Sequence, residues 1–258
     1  MDSGEFIRDR LIERIIPEVA EELGAECTQF SDGWVFQLHR GDLAADVFGY
    51  RFSCNNAAAA SIARDKVATS AILASQDIAT ATHVLVYNHQ AGIMRYGEVT
   101  GEVVIKPLHG ASGHGVHRFV NQPEAEQYIA TTKEVAWAIA PWYDIMRETR
   151  VITLDGEVLL AYTKQPVVRD NLKMFNLGLG ATPLDITIDS ETQQLAVSAL
   201  QSLHLRLAAV DIMELADGTK HVLEVNDGIM MEHYMRVDDE HYQRGYGVYK
   251  KIIKAMLD

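Results

Sequence analysis

Cysteine is scarce in this chain: Cys27 and Cys54 are the only two in 258 residues. That is too few for a disulfide scaffold, and the pair lacks metal-ligand spacing, so both read as buried free thiols. Long apolar runs are missing too. The opening stretch MDSGEFIRDRLIERIIPEVAEELG mixes acids and bases through its apolar positions, without a signal-peptide core or a membrane span, which predicts a cytoplasmic chain. Positive charge is in short supply: 23 Lys and Arg stand against 36 Asp and Glu, for a formal net charge of −13. With no long basic run, the chain is not expected to bind nucleic acid, and any phosphate site has to be assembled locally. There is no internal repeat, low-complexity tract, nucleophile elbow or Cys-His motif. What remains is ordinary globular composition, 48% hydrophobic and 23% charged, enough for one large domain or two small ones.

Phe6, Ile7, Leu11, Ile15, Ile16, Val19 and Leu23 recur at helical spacing, with Pro17 placed to kink or divide the helix. GWVFQLHRGDLAADVFGYRF then reads as short strands broken by glycines. An alanine-rich helix, NAAAASIARDKVATSAILASQ, follows, with Asn55 or Asn56 as its cap. A boundary is expected near residue 55. HVLVYN, EVVIKP, GVHRFV and EVAWAI are strand candidates, with a helix PEAEQYIATTK before the last. SETQ is a capping box for the helix that follows it. Two Asp-Gly pairs, at 155–156 and 217–218, mark hairpins. A closing helix, weakened by Gly245 and Gly247, ends the chain.

Two stretches carry chemistry. In VVIKPLHGASGHGVHRF, Lys106 ends a strand and Gly110, Gly113 and Gly115 follow. Such a loop lets backbone N–H groups approach an anion, with the lysine adding a point charge; a plain glycine-rich hairpin reads the same way. The order and the absent following helix exclude a Walker-type loop, and the spacing of His109, His114 and His117 does not favour a metal. The second stretch is LAAVDIMELADGTKHVLEVND. Folded about a two-residue turn at Asp217-Gly218, it pairs Ala216 with Thr219 and sets Asp211 opposite Glu224. One face then carries Asp211, Met213 and Leu215 with Lys220, Val222, Glu224 and Asn226. Facing acids repel unless something else is present. Two carboxylates and a carbonyl oxygen suit Mg²⁺; a solvated sheet face, or one carboxyl kept protonated by the other, are the alternatives. On the metal hypothesis, Asp211→Asn relieves repulsion, so stability without ligand holds or rises as activity falls.

Taken in order, ARDKVATSAIL, VVIKPLHGASGHGV, RETRVITLDGEVLLAYTK, FNLGLGA, AVDIMEL and LEVND resemble the ATP-grasp superfamily and, within it, the RimK-like carboxylate–amine ligases. The resemblance runs from about Asn55 to Tyr234. It implies an α+β, ATP-grasp fold: two α+β lobes, about 83–139 and 140–258, holding the nucleotide between them, after a short amino-terminal α/β unit at 1–55. It implies ATP as cofactor with Mg²⁺, two ions, Mn²⁺ being able to substitute. Lys66 and Lys106 would be the phosphate-side lysines, and Gly110, Ser112, Gly113 and Gly115 the lid. The adenine would lie along Trp137, Ala138 and Ile139 through backbone hydrogen bonds, with Glu148 on the nucleotide. Arg150, Lys164 and Asn176 would be the catalytic set, and Asp211, Glu224 and Asn226 the metal ligands. The implied reaction activates a carboxylate with the γ-phosphate of ATP, and an amine then attacks the acyl phosphate, releasing ADP and phosphate. A peptide-maturation ligase or a non-catalytic nucleotide-binding regulator would share the fold. Expected partners are small-molecule or peptide carboxylates and amines, with no nucleic acid and no membrane; self-association into a homo-oligomer is left open. The segment before Asn55 is short for the family's substrate side, MFN lacks an arginine that the family carries there, and EVNDGIMMEHYM departs from the usual ending.

Overall fold

The computed structural model describes residues 9–90, 92–110, 113–169 and 172–258. Phe6 and Ile7 lie outside them. Helix α1 (Ile12–Glu22) buries Ile15, Ile16 and Val19, as their spacing predicts, together with Ile12, and Pro17 sits inside it without dividing it. An antiparallel meander follows: β1 (Glu26–Phe30), β2 (Val35–Arg40), β3 (Leu43–Phe48) and β4 (Arg51–Phe52). Strand β1 is exposed almost throughout, so it carries no alternating signature in the sequence.

The alanine-rich segment, expected as one helix, is two: α2 (Ala57–Arg64) and α3 (Lys66–Ser75). Asn56 caps the first by accepting from the Ala58 and Ala59 amides. Asp65 leaves helical geometry to cap the second through the Val67 and Ala68 amides. A short acid that bonds the backbone locally offers the chain an alternative to continuing the helix.

The smaller lobe comprises β5 (Val84–His89), β6 (Gly92–Arg95), β7 (Val103–Pro107), β8 (His117–Phe119), helix α4 (Gln122–Thr131) and β9 (Ala136–Pro141), in the strand order β6-β5-β9-β7-β8. Val103, Ile105, Trp137 and Ile139 form its core with Ala125 and Ile129 of α4.

The larger lobe begins with β10 (Ile145–Leu154) and β11 (Glu157–Gln165), then a small hairpin of β12 (Val167–Arg169) and β13 (Leu172–Met174). After a 3₁₀ turn at Leu177–Leu179 come β14 (Thr182–Asp185), α5 (Ser190–Ser202), β15 (Leu207–Leu215), β16 (Lys220–Asn226), α6 (Glu232–Met235) and α7 (Asp239–Leu257). Asp189, rather than Ser190 of the expected capping box, caps α5 through the Thr192 amide. The sheet runs β14-β11-β10-β15-β16. One face packs on α5 through Val151, Val210, Ile212 and Val222. Half of the other shares a core with α1, the amino-terminal meander and α7; the remaining half is polar. Among the described residues no helix is long and apolar enough to cross a membrane.

Both Asp-Gly pairs turn hairpins, but with different loops. At Asp155-Gly156, Leu154 pairs with Glu157 and both turn residues have positive φ, 50° and 86°, the two-residue turn expected. The second loop is one residue longer. Gly218 donates to the Leu215 carbonyl and Leu215 to that of Thr219, so Ala216, Asp217 and Gly218 form the loop, with Gly218 at φ 82°. Glu214 therefore pairs with Lys220 and Ile212 with Val222, and an irregularity at Leu223 restores the register so that Asp211 still faces Glu224. The extra loop residue and the bulge cancel. Between them the faces are exchanged, which corrects the single-face expectation. Val222 lies in the core under α5, and Lys220 pairs with Asp189 and Glu191 at the head of that helix.

Candidate active site

Strand pairing draws one residue from each strand of the larger sheet into a transverse row: Asp185, Tyr162, Arg150, Asp211 and Glu224. Neighbouring strands lie about 4.8 Å apart, so the row crosses the sheet on its polar half-face. Arg150 grips Asp211 with both ends of its fork, Nε to Oδ1 at 2.8 Å and Nη2 to Oδ2 at 2.6 Å. Lys164 Nζ lies 2.9 Å from the same Oδ1 and also pairs with Glu148, its cross-strand partner. Asn226 Nδ2 reaches Asp211 Oδ2 at 3.5 Å. Burial would push the Asp211 carboxyl up, but Arg150 and Lys164 bring it down to about 2. Glu148 moves the opposite way: burial raises it against the pull of Lys164. Two acids near one another are thus split, Asp211 keeping its charge.

These contacts correct the expectation about the facing acids. Asp211 and Glu224 are opposite in register, yet Asp211 is compensated by two cations of the chain, and Glu224 stands 3.6 Å from Lys66 Nζ. Charge balance at Asp211 is met before any metal arrives.

Lys66, just beyond the Asp65 cap, extends from α3 to the glycine loop, donating to the Gly110 carbonyl at 2.5 Å and more weakly to that of Leu108 at 3.5 Å. Lys106 stands on β7 opposite Ala138 of β9. Burial lowers its pKa, with the Glu224 carboxylate pulling the other way. Gly113 lies over the 3₁₀ segment: a Cβ there would meet Leu179 Cδ1 at 3.6 Å and Asn176 Nδ2 at 3.9 Å. Gly115, at φ +71°, leaves no room for a Cβ, which would fall 2.9 Å from Pro107 Cγ. Lys66, Lys106, Gly110, Gly113 and Asn176 are thereby brought over the polar half-face. Ser112 lies outside the described residues.

Trp137 and Ile139 do not join them. Both are buried in the smaller lobe's core, and β9 pairs with β5 on one side and β7 on the other. Backbone groups of a central strand are committed to its ladders, so residues 137–139 have none left to offer adenine. Ala138, fully buried, pairs with Lys106 on the alternate face of β9.

Several polar residues here carry no motif. Tyr162 sits two residues before Lys164 on the same face, fully buried and stacked 4.8 Å from Tyr234, whose hydroxyl donates to Asp185 at 2.7 Å. Period-2 alternation in AYTK would have found Tyr162; Tyr234 and Asp185 meet only through the fold. Asp227, directly after Asn226, pairs with Arg51 at 3.2 Å and Arg64 at 2.8 Å, fixing the end of β16. His83, just ahead of β5, is buried beside both lysines.

Among the described residues no three His, Cys, Asp or Glu side chains converge as a metal cluster. The expected set is two carboxylates and an amide. Glu224 is one-third exposed, and 3.6 Å to Lys66 is beyond hydrogen-bond length, so its hard oxygens suit Mg²⁺. Asp211 could serve only while shared with Arg150 and Lys164.

Comparison with known proteins agrees with this architecture. The D-alanine–D-alanine ligase of Bacillus anthracis complexed with ATP matches 78% of this chain and 68% of its own, with a TM-score of 0.60 at 18% identity. The ATP-grasp ligase PsnB with its minimal precursor matches 74% and 62%, at 0.52 and 18% identity. The fold is therefore the ATP-grasp fold. A probable alpha-L-glutamate ligase of Rhodopirellula baltica is 26% identical over 219 residues, 83% of this chain and 51% of that protein. The tetrahydromethanopterin:alpha-L-glutamate ligase of Methanocaldococcus jannaschii is 30% identical over 134 residues, 48% of this chain and 45% of its own. The chain spans about half the length of these curated relatives. The RimK-like ATP-grasp domain matches residues 63–242, from the helix ahead of Lys66 to the start of α7, and the chain belongs to that family.

Proposed function

We propose that this chain is an ATP-dependent carboxylate–amine ligase that forms an amide or peptide bond through an acyl phosphate and releases ADP and phosphate. One observation carries it: a compensated Arg150–Asp211–Lys164–Glu148 cluster on the larger sheet faces Lys66 and Lys106 across the cleft. The names of the two glutamate ligases support an amino acid as the amine substrate.

In this proposal Lys66, Lys106 and the loop at Gly110, Gly113 and Gly115 hold the phosphates, and Ala138 with Glu148 borders the nucleotide. A carboxylate oxygen attacks the γ-phosphorus and ADP leaves; the amine nitrogen then attacks the acyl carbon and phosphate leaves. Both steps need positioning and charge stabilisation rather than a side-chain nucleophile. Arg150, its planar fork held in orientation by Asp211, presents its remaining donors to the transferring phosphoryl group, and Lys164 adds a second fixed cation. Asn176 orients the substrate below the loop. Mg²⁺, when bound by Glu224 and Asn226 with Asp211, would neutralise phosphate charge. Ser112 completes the loop in the proposal.

ADP release should require Mg²⁺, a carboxylate and an amine together. A protein that binds ATP but releases no ADP with any pair from an amino-acid and peptide panel would be a regulator and not a ligase.

A further inference from the structure

His83 is a buried polar side chain, close to both phosphate-side lysines, that the site described above leaves unexplained. It is 8% exposed, and neither Nδ1 nor Nε2 has a hydrogen-bond partner among the described residues. Buried polar side chains are nearly always partnered, so an orphan calls for a ligand, an ion or a water. Its place in the fold narrows the choice. Ala79 to Ala81 run along the edge of β16, the Ala81 amide bonding the Val222 carbonyl and the Val222 amide that of Ala79. Two residues on, the chain leaves for the smaller lobe, so His83 stands where the two sheets join. It lines a small cavity of about 10 Å³, room for about one water, with Lys66, Thr80 and Glu224. Thr80 is already engaged, donating to the Val222 carbonyl at 3.1 Å.

The electrostatics say what kind of partner is missing. Burial first, then Lys106 and Lys66, hold the imidazole far below its ordinary value, at about 3, against a weaker upward pull from the Ala81 backbone, which lies near the ring without meeting hydrogen-bond geometry. A neutral imidazole keeps one N–H to donate. The acceptor for it must sit beside two ammonium groups, where a charged oxygen is favoured over a neutral one.

We propose that His83 is a neutral hydrogen-bond donor to the phosphate chain of the nucleotide, standing between Lys66 and Lys106 at the junction of the lobes. The proposal rests on the ATP-binding function above and adds a contact made by no motif residue. A neutral donor supplies direction where the two lysines supply charge, and it adds no further cation beside Lys66, Lys106 and Glu224.

Calorimetric titration of the intact chain with Mg-bound non-hydrolysable ATP analogue, ADP and adenosine tests it. His83→Phe, which fills the space without a donor, should weaken the analogue and ADP about tenfold and leave adenosine unchanged; His83→Gln, which keeps an N–H, should stay within about threefold of wild type. Equal loss for all three ligands, or undiminished ADP affinity in His83→Phe, would overturn the proposal. Should the phenylalanine variant not fold, wild-type protein with ¹⁵N-labelled histidine decides. The His83 ring signal should move with ADP and not with adenosine, and an unmoved signal in protein that binds ADP means that water alone occupies the cavity. Wild-type protein that binds no nucleotide removes the ATP-binding function, and this contact with it.

Discussion

Asp211 is where charge, burial and register meet. Its two oxygens receive Arg150 and Lys164, and at 3% exposure almost nothing of it is left to water. Removing one partner of a buried ion pair typically costs about 3–5 kcal/mol, because the other charge stays buried and unpaired. Asp211→Asn should therefore lower the ligand-free melting temperature by about 10 °C, the reverse of what relief of repulsion predicts. Activity should vanish in either case, so the thermal scan without ligand is the discriminating measurement; a variant at or above the wild-type temperature would restore the repulsion account. The pH dependence has the matching sign. A carboxyl whose folded value is depressed stabilises the fold above its unfolded value near 3.9 and loses that contribution as pH falls through about 2. That the sequence revealed the facing acids but not their cations has a plain cause. Arg150 and Lys164 come from strands far away in the chain, and nothing local to 207–227 signals which neighbour β15 will take.

At the scale of elements, α7 shows how identical residues do different work. Gly245 is buried against α6, and a Cβ there would fall 2.4 Å from Met235 Cγ; around Gly247 nothing lies within 4 Å. Helix propensity alone favours alanine at both sites by about 1 kcal/mol. Gly247→Ala should raise stability by about that amount, while Gly245→Ala should lower it by about 1–3 kcal/mol through overpacking. Denaturant midpoints of the two variants would move in opposite directions; a shift of the same sign would mean that Met235 yields without cost. The sequence shows both glycines as weaknesses because spacing contains no information about the partner helix. Hairpins were more legible. Asp155-Gly156 can be read outright, and Asp211 falls opposite Glu224 even though the loop is one residue longer than a two-residue turn, since the bulge at Leu223 returns the residue that the turn takes. Helix caps fell between: Asn56 was legible, whereas the break at Asp65 was hidden because alanine-rich sequence on both sides favours continuation.

For the molecule as a whole, the amino-terminal unit is bound into the larger lobe. Glu232, 2% exposed, accepts from the Leu11 and Ile12 amides at 3.1 and 3.3 Å and from the Tyr50 hydroxyl at 3.2 Å. An acid at a helix start answers both its free N–H groups and its dipole. Arg51 and Tyr50 meanwhile clasp the segment after Asn226, through Asp227 and the Ile229 amide. Glu232→Ala should cost about 1–3 kcal/mol and should do so within a single calorimetric transition, because the two units share one core. An early, separate melting of the first 55 residues would contradict that. Nothing in EVNDGIMMEHYM announces a helix cap two hundred residues away in sequence; it is legible only once both ends of the chain are seen together.

The transverse row has a consequence in time as well as space. Its members are Asp185, Tyr162, Arg150, Asp211 and Glu224, one from each strand of the larger sheet, and their order across the sheet differs from their order along the chain. No short segment holds enough of them to form the cluster in advance, and pairings so distant in sequence are slow to close. During synthesis Glu224 emerges last of the five, so a growing chain has no usable site until the sheet can receive its outermost strand. On the proposed function, chains that stop short of Glu224 should release no ADP.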